Sequence, residues 1–324
     1  MPALTFRALT VADAELAADM MTAAFPREPQ DPVLTAYRWS HPRAGWTDAR
    51  FAAELDGKPV AFLEWQHGPF EQLPERNGWV DVYLDRAHMN PGLLDELWAW
   101  IEDAAIREGM RTVNAAAGED EPEMLAVLAG RGYERKSTER VWRLDLAKHG
   151  AEITADAAAA RERMQAAGVE LTTLDRWDDP DRFRKLHEVH ELMRQDVPHI
   201  SPILPQTLDD MMVRVQAPNI SLDRWWIALD GAEPVAMSYL SYPPVRGHVW
   251  TNFTGSHPRY RGRGIARAVK LQTLAQAVEL GITEVRTDND STNKPMLHIN
   301  ETLGYELLPG YAGFEKRLRA RPLR

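Results

Sequence analysis

The stretch Thr251–Lys270, TNFTGSHPRYRGRGIARAVK, holds the residues best suited to chemistry. Arg259, Arg261 and Arg263 alternate with Tyr260, Gly262 and Gly264, just ahead of apolar positions at Ile265, Ala268, Val269, Leu271, Leu274 and Val278 that recur at helical spacing. Glycine lets the chain turn with its N–H groups outward and close to a ligand, and a helix starting there adds positive potential at its N-terminus. Guanidinium groups offer phosphate a fixed fork of donors. The spacing therefore predicts a pyrophosphate cradle at a strand–loop–helix junction. Two other phosphate loops are excluded. A dinucleotide-binding turn needs a small residue where Arg267 stands, and a P-loop needs Gly-Lys followed by Ser or Thr.

Other motifs are weaker. His187-Glu188-Val189-His190-Glu191 lacks the H-E-x-x-H spacing and reads as a helix face, so no metal is expected. The eleven tryptophans, among them Trp98, Trp100, Trp225, Trp226 and Trp250, read as core packing, although an aromatic pocket could hold an amine by cation–π contact.

Periodicity and turn chemistry place these residues. In the first half, strands are predicted at Leu4–Ala8, Arg50–Leu55, Pro59–Gln66 across an Asp56-Gly57 turn, Gly78–Leu84, Thr112–Ala116 and around Tyr133–Leu146. Helices are predicted at Val11–Ala24, Pro91–Glu108 before Gly109, and Glu121–Ala129 before Gly130. The second half repeats the order. Strands fall at Val169–Leu174, Trp225–Leu229, Val235–Tyr242, Val249–Thr254, Glu284–Thr287 and Tyr305–Leu318, with helices at Arg182–Gln195, Leu204–Val215, Arg263–Leu280 and Lys294–Leu303. Gly304-Tyr305 follows Gly132-Tyr133 by 172 residues, and the same offset sets Gly264 on Gly92, which indicates a duplicated α+β unit. At that offset Arg259 and Gly262 fall on Ala87 and Asn90, and Pro91 removes an N–H, so the cradle is expected in the second half alone. The Ala-rich run between the units predicts a connecting helix, giving an organisation of 1–147, a linker helix at 148–167, and 168–324.

Composition bounds the function. The 324 residues contain no cysteine, which excludes disulfides, Cys-ligated metal and a thiolate nucleophile. A net charge of −10 disfavours nucleic acid as a partner. No apolar run reaches membrane-spanning length, and the N-terminus does not resemble a signal peptide, so a cytoplasmic protein with no membrane partner is expected.

Arg259-Tyr260-Arg261-Gly262-Arg263-Gly264 resembles the acyl-CoA loop of the GNAT superfamily of N-acetyltransferases, and Asn293, Met296, Leu297, Asn300, Leu303, Gly304 and Tyr305 resemble a second GNAT pattern. The resemblance implies an α+β, sandwich-like architecture of two tandem GNAT folds, each a mixed, mostly antiparallel sheet flanked by helices, similar in layout to the mycothiol synthases. It implies acetyl-CoA as acyl donor, with its pyrophosphate on the backbone from Tyr260 to Ile265 and arginines near the phosphates. Its pantetheine would lie along Phe253, Thr254 and Gly255 and near Asn293. It also implies direct transfer to a small-molecule primary amine, needing a base for the ammonium and an acid for the thiolate.

Asn300 takes the position of the tyrosine that often serves as acid and has no proton of useful pKa. It is expected to hydrogen-bond the sulfur or a substrate, with water as the proton source. His248, where histone acetyltransferases carry a glutamate, is the candidate base, with Asp288 and Asn289 as candidates to face the acceptor. A CoA-binding sensor without turnover is the alternative. Because the duplication supplies an internal pseudo-dimer, a monomer is expected.

Overall fold

The computed structural model describes residues 4–73, 75–200 and 202–318. In chain order the elements are β1 (Leu4–Ala8), α1 (Ala14–Ala24), α2 (Pro32–Ser40), β2 (Thr47–Leu55), β3 (Lys58–His67), β4 (Asn77–Leu84), α3 (Pro91–Glu108), β5 (Thr112–Gly118), α4 (Pro122–Gly130) and β6 (Glu134–Asp145). They continue with α5 (Leu146–Ala166), β7 (Val169–Thr173), α6 (Arg182–Arg194), α7 (Leu208–Val215), β8 (Trp225–Asp230), β9 (Glu233–Ser241), β10 (Trp250–Ser256), α8 (Ile265–Glu279), β11 (Glu284–Asp290), α9 (Lys294–Thr302) and β12 (Glu306–Arg317).

The described strands form one mixed sheet in the order β1-β2-β3-β4-β5-β12-β6-β11-β10-β9-β8-β7. The two halves have exchanged their last strands. β12 runs antiparallel to β5 from Tyr311 opposite Gly118 to Arg317 opposite Thr112, while β6 runs antiparallel to β11 from Asp145 opposite Glu284 to Glu139 opposite Asp290. β12 and β6 also pair with each other, which joins the halves edge to edge. A side-chain network fixes β12 in its adopted sheet: Lys316 Nζ donates to Glu102 Oε1 on α3 at 2.7 Å, and Arg131 donates to both Glu102 oxygens. Division at the linker thus follows the covalent chain, whereas the sheet crosses it.

Alternation along the strands gives each half a core on both faces. In the first half Leu63, Val80 and Val82 meet α3 and α4, and Ala52 and Phe62 meet α1. In the second, Leu171, Val235 and Leu240 pack under α5 and α8, and Ile227, Met237 and Tyr239 under α6 and α7. The connecting helix α5 is part of this core, burying Ile153, Ala157, Ala160 and Met164. Arg267, the residue that rules out a dinucleotide turn, reaches across from α8 to pair with Asp156 on α5 at 2.8 Å.

Helix α2 has no counterpart in the sequence-based expectation. Asp31 and Pro32 start it: Asp31 Oδ1 accepts from the amides of Val33 and Leu34, and Pro32 fills the first turn, where a missing N–H costs nothing. Asp31 Oδ2 accepts from the amides of Val245 and Arg246, so one carboxylate both caps a helix of the first half and holds a loop of the second.

Candidate active site

β10 delivers the chain into the cradle, and α8 leaves it. Gly262 and Gly264 have φ of +75° and +76°, a left-handed conformation that strains any residue with a Cβ. Gly264 is also the N-cap of α8 and offers no side chain to the first-turn amides, so those N–H groups face outward unpaired by a cap. A Cβ built on either glycine meets nothing within 4 Å, so the face is open. Ile265 is buried and anchors the helix start.

The three arginines differ in their engagements. Arg261 pairs with Asp196, Arg263 lies over the Tyr260 ring at 5.0 Å, and Tyr260 Oη donates to Asp230 at 2.7 Å. Arg259 and Arg263 have no carboxylate within ion-pair distance among the described residues, which leaves their donors for a phosphate.

The corresponding turn of the first half is closed. Asn90 Oδ1 accepts from the amides of Gly92 and Leu93 at 2.9 and 3.1 Å, occupying the donors that a phosphate would need, and Pro91 supplies none. Two turns at equivalent positions therefore have opposite capacity for an anion.

Below the cradle, β10 and β11 pair in parallel only at Trp250 opposite Arg286, then diverge. The gap is a cleft of about 370 Å³. Phe253 and Thr254 line one side, Asp288 and Asn289 the other, and Asn293, the N-cap of α9, lies at its edge. Gly255 is required for packing, since a Cβ there would fall 2.9 Å from the Phe253 ring. A bulge interrupts β10 between Thr251 and Phe253, and the bulged Asn252 projects into the cleft.

Two expected catalytic residues lie elsewhere. His248 precedes the point where β10 and β11 are still paired and does not line the cleft. Its Nε2 is 3.0 Å from the carbonyl oxygen of Arg27, and burial together with Arg286 lowers its pKa. Asn300 is fully buried: its Oδ1 accepts from Lys270 Nζ at 2.6 Å and its Nδ2 donates to Asn289 Oδ1 at 2.6 Å. It orients Asn289 from behind and presents nothing to a thioester sulfur.

Glu139 was not foreseen. It lines the cleft from β6, the exchanged strand, directly opposite Asp290. Burial, reinforced by Asp288 and Asp290, raises its carboxyl to about 7. Asp288 is also raised by burial and accepts from Trp250 Nε1 at 2.9 Å. No local signal marks Glu139, because its charged strand belongs by sequence to the half without a cradle.

The acetyltransferase (GNAT) family pattern matches residues 14–133 and again 186–305. The chain belongs to the GNAT family. Its fold is that of a tandem GNAT protein. A tandem GNAT protein from the clavulanic acid biosynthesis pathway superposes with a TM-score of 0.76 at 17% identity, covering 99% of this chain and 100% of the other. A GCN5-related N-acetyltransferase from Sphaerobacter thermophilus gives 0.70 at 17% identity, covering 98% and 96%. A fungal glucosamine N-acetyltransferase region gives 0.67 at 13% identity, covering 98% of this chain and 38% of the other. At these identities the likeness shows the fold. No curated protein matches the chain in sequence.

Among the described residues of this tandem GNAT, no cluster of three or more His, Asp or Glu could hold a metal ion, and no helix is long and apolar enough to cross a membrane. His187 of the rejected metal motif is 2.7 Å from the Gln206 carbonyl oxygen, and His190 is buried against Phe253.

Proposed function

We propose that the second half transfers an acetyl group from acetyl-CoA to a primary amine of a small molecule. The observation that carries this reading is the contrast between the helix starts: α8 offers uncapped amides, whereas Asn90 occupies those of α3. Acetyl-CoA, when bound, supplies the thioester carbon that accepts the amine. The amides that follow Gly264, with Arg259 and Arg263, would hold its phosphates, and the diverging edges of β10 and β11 would hold its pantetheine arm.

Glu139 replaces His248 as the base, because it lines the cleft and its raised pKa suits proton removal near neutral pH. As the C–N bond forms and the C–S bond breaks, the ammonium loses two protons, one to Glu139 and one that ends on the departing thiol through water. Asn300 and Lys270 are positioning residues that hold Asn289 at the cleft wall. Because the halves already pair through β6 and β12, one chain forms the whole sheet, which supports a monomer.

Calorimetric titration of acetyl-CoA into the wild type and into the Gly262→Asp, Gly264→Asp double variant, followed by a free-thiol assay over a panel of amines, tests the reading. Binding by the wild type alone and thiol release with one amine class are expected. No wild-type binding would end the assignment. Binding without thioester consumption would leave a CoA sensor, the reading that the asparagine at position 300 favours.

A further inference from the structure

A second cavity, of about 510 Å³, lies on the seam between the halves. The first half contributes the end of α2 and the turn after it, and the second contributes α7 and Tyr239 of β9. Asn252, the bulged residue of β10, lines both this cavity and the cleft, so the two spaces adjoin at this residue.

Their charges are opposite. The cleft wall carries Glu139, Asp288 and Asp290. The seam cavity carries Arg38, Arg43 and Arg214 against a single carboxylate, Asp210. Arg43 is paired with that carboxylate at 3.5 Å. Among the described residues the other two guanidinium groups have no carboxylate within ion-pair distance. Arg38 lines the cavity and makes no side-chain hydrogen bond or ion pair among the described residues; burial lowers its pKa, and the Glu64 and Asp31 carboxylates, acting through space, offset part of that. Among the described residues the hydrogen-bond partners of Arg214 are neutral, Tyr239 Oη at 3.3 Å, Gln206 Oε1 at 3.4 Å and His190 Nε2 at 3.5 Å. His190 is held neutral by burial and by Arg214 itself, with a pKa lowered to about 3, so it adds no second positive charge beside Arg214.

Two guanidiniums that line one cavity with no carboxylate in direct contact are suited to an oxyanion, since each offers paired donors in a plane. A carboxylate-lined cleft next door is suited to an ammonium. We propose that the acceptor is a zwitterion: its oxyanion, a carboxylate or a phosphate, is held in the seam cavity by Arg38 and Arg214, and its amine passes Asn252 to reach Glu139. This rests on the reading of the cleft as the acyl-transfer site and names the substrate class for it. The assignment also gives the first half a binding role, because Arg38 is on α2, an element of the half without a cradle.

The test separates the two readings. Acetyl-CoA binding is first measured by calorimetry; if it is absent, the acyltransferase reading itself falls. With binding established, free-thiol release is followed over α-, β- and ω-amino acids, each beside its amide and its decarboxylated amine, with aminoalkyl phosphates as a further arm. Turnover confined to oxyanion-bearing amines is expected, and the carboxylate and phosphate arms identify which oxyanion is used. Arg38→Gln and Arg214→Gln should each raise KM for that acceptor roughly 10- to 100-fold, the effect of losing a charged hydrogen bond, with kcat and the Kd of acetyl-CoA little changed. They should also erase discrimination against the amide, and Arg38→Lys should restore part of it. Equal kcat/KM for an amino acid and its decarboxylated amine would overturn the proposal. So would turnover of neutral amines alone, no turnover of any oxyanion-bearing amine, or arginine variants that act on kcat and leave KM unchanged.

Discussion

Glu139 lies directly across the β6–β11 ladder from Asp290, so a carboxylate supplied by the first half faces the cleft between β10 and β11 of the second. The proximity of Asp288 and Asp290 adds to the effect of burial on Glu139, and together they bring its pKa to about 7. A base acts in its ionised form, so kcat/KM should rise with pH along a limb of apparent pKa near 7 and fall away below it. Glu139→Gln should remove that limb and lower kcat by about 10²- to 10⁴-fold while leaving acetyl-CoA affinity intact, as a pH–rate profile and a calorimetric titration will read. Retention of wild-type kcat by the variant would rule Glu139 out as the base.

The two helix starts should respond differently to matched changes. Gly264→Ala places a Cβ on a left-handed residue and should cost about 1 kcal/mol in stability, with weakened acetyl-CoA binding because the amides shift. Asn90→Ala removes a side-chain cap and should also cost about 1 kcal/mol, yet leave acetyl-CoA binding unchanged. Denaturant melts and titrations on both variants check this. Loss of binding in Asn90→Ala would place a cofactor site in the first half.

Lys270 is fully buried with Nζ on Asn300 and 4.8 Å from the Tyr305 ring centre, and burial lowers its pKa from 10.5 to about 7. Between those values the unfolded chain binds the proton and the folded chain does not. Stability contributed by this group therefore rises with pH from about 7 towards 10, by at most about 1.4 kcal/mol per pH unit. Lys270→Met should flatten this slope in melts taken at pH 7, 8 and 9. It should also lower stability by about 1–3 kcal/mol at pH 9, since the Asn300 oxygen loses its donor. An unchanged slope would show that Lys270 keeps its proton in the folded state.

The exchanged strands predict that the halves depend on each other. Residues 1–147 expressed alone would leave the β5 edge open, and residues 148–324 alone would leave β11 without β6. Unpaired edges template aggregation, so each piece should be poorly soluble by itself, and co-expression should recover a complex that binds acetyl-CoA. The intact chain should unfold in a single calorimetric transition. Two well-separated transitions would show that the halves are independent.

The loop read as a cradle was legible as a local structure because its signals are local. Gly262 and Gly264 are required by the φ of their own positions, and Arg259 to Ile265 form one contiguous turn into the start of α8. Apart from α2, helix and strand order and the duplication followed from spacing for the same reason, as did the missing donor at Pro91. The proposed base depends on partners distant in sequence. His248 occupies a strand start that a linear count brings near the cradle, but the parallel ladder at Trp250 and Arg286 keeps it outside the cleft. Asn300, expected near the sulfur, is instead bonded to Lys270, thirty residues away and equally buried. Glu139 became a candidate only because β6 leaves its own half to pair with β11, an exchange that no hydrophobic pattern records, since each strand keeps the same alternation whichever sheet it joins. The meeting of an acidic cleft and a basic seam at Asn252 likewise depends on tertiary structure, because the arginines and carboxylates come from both halves and only packing brings them to either side of one residue.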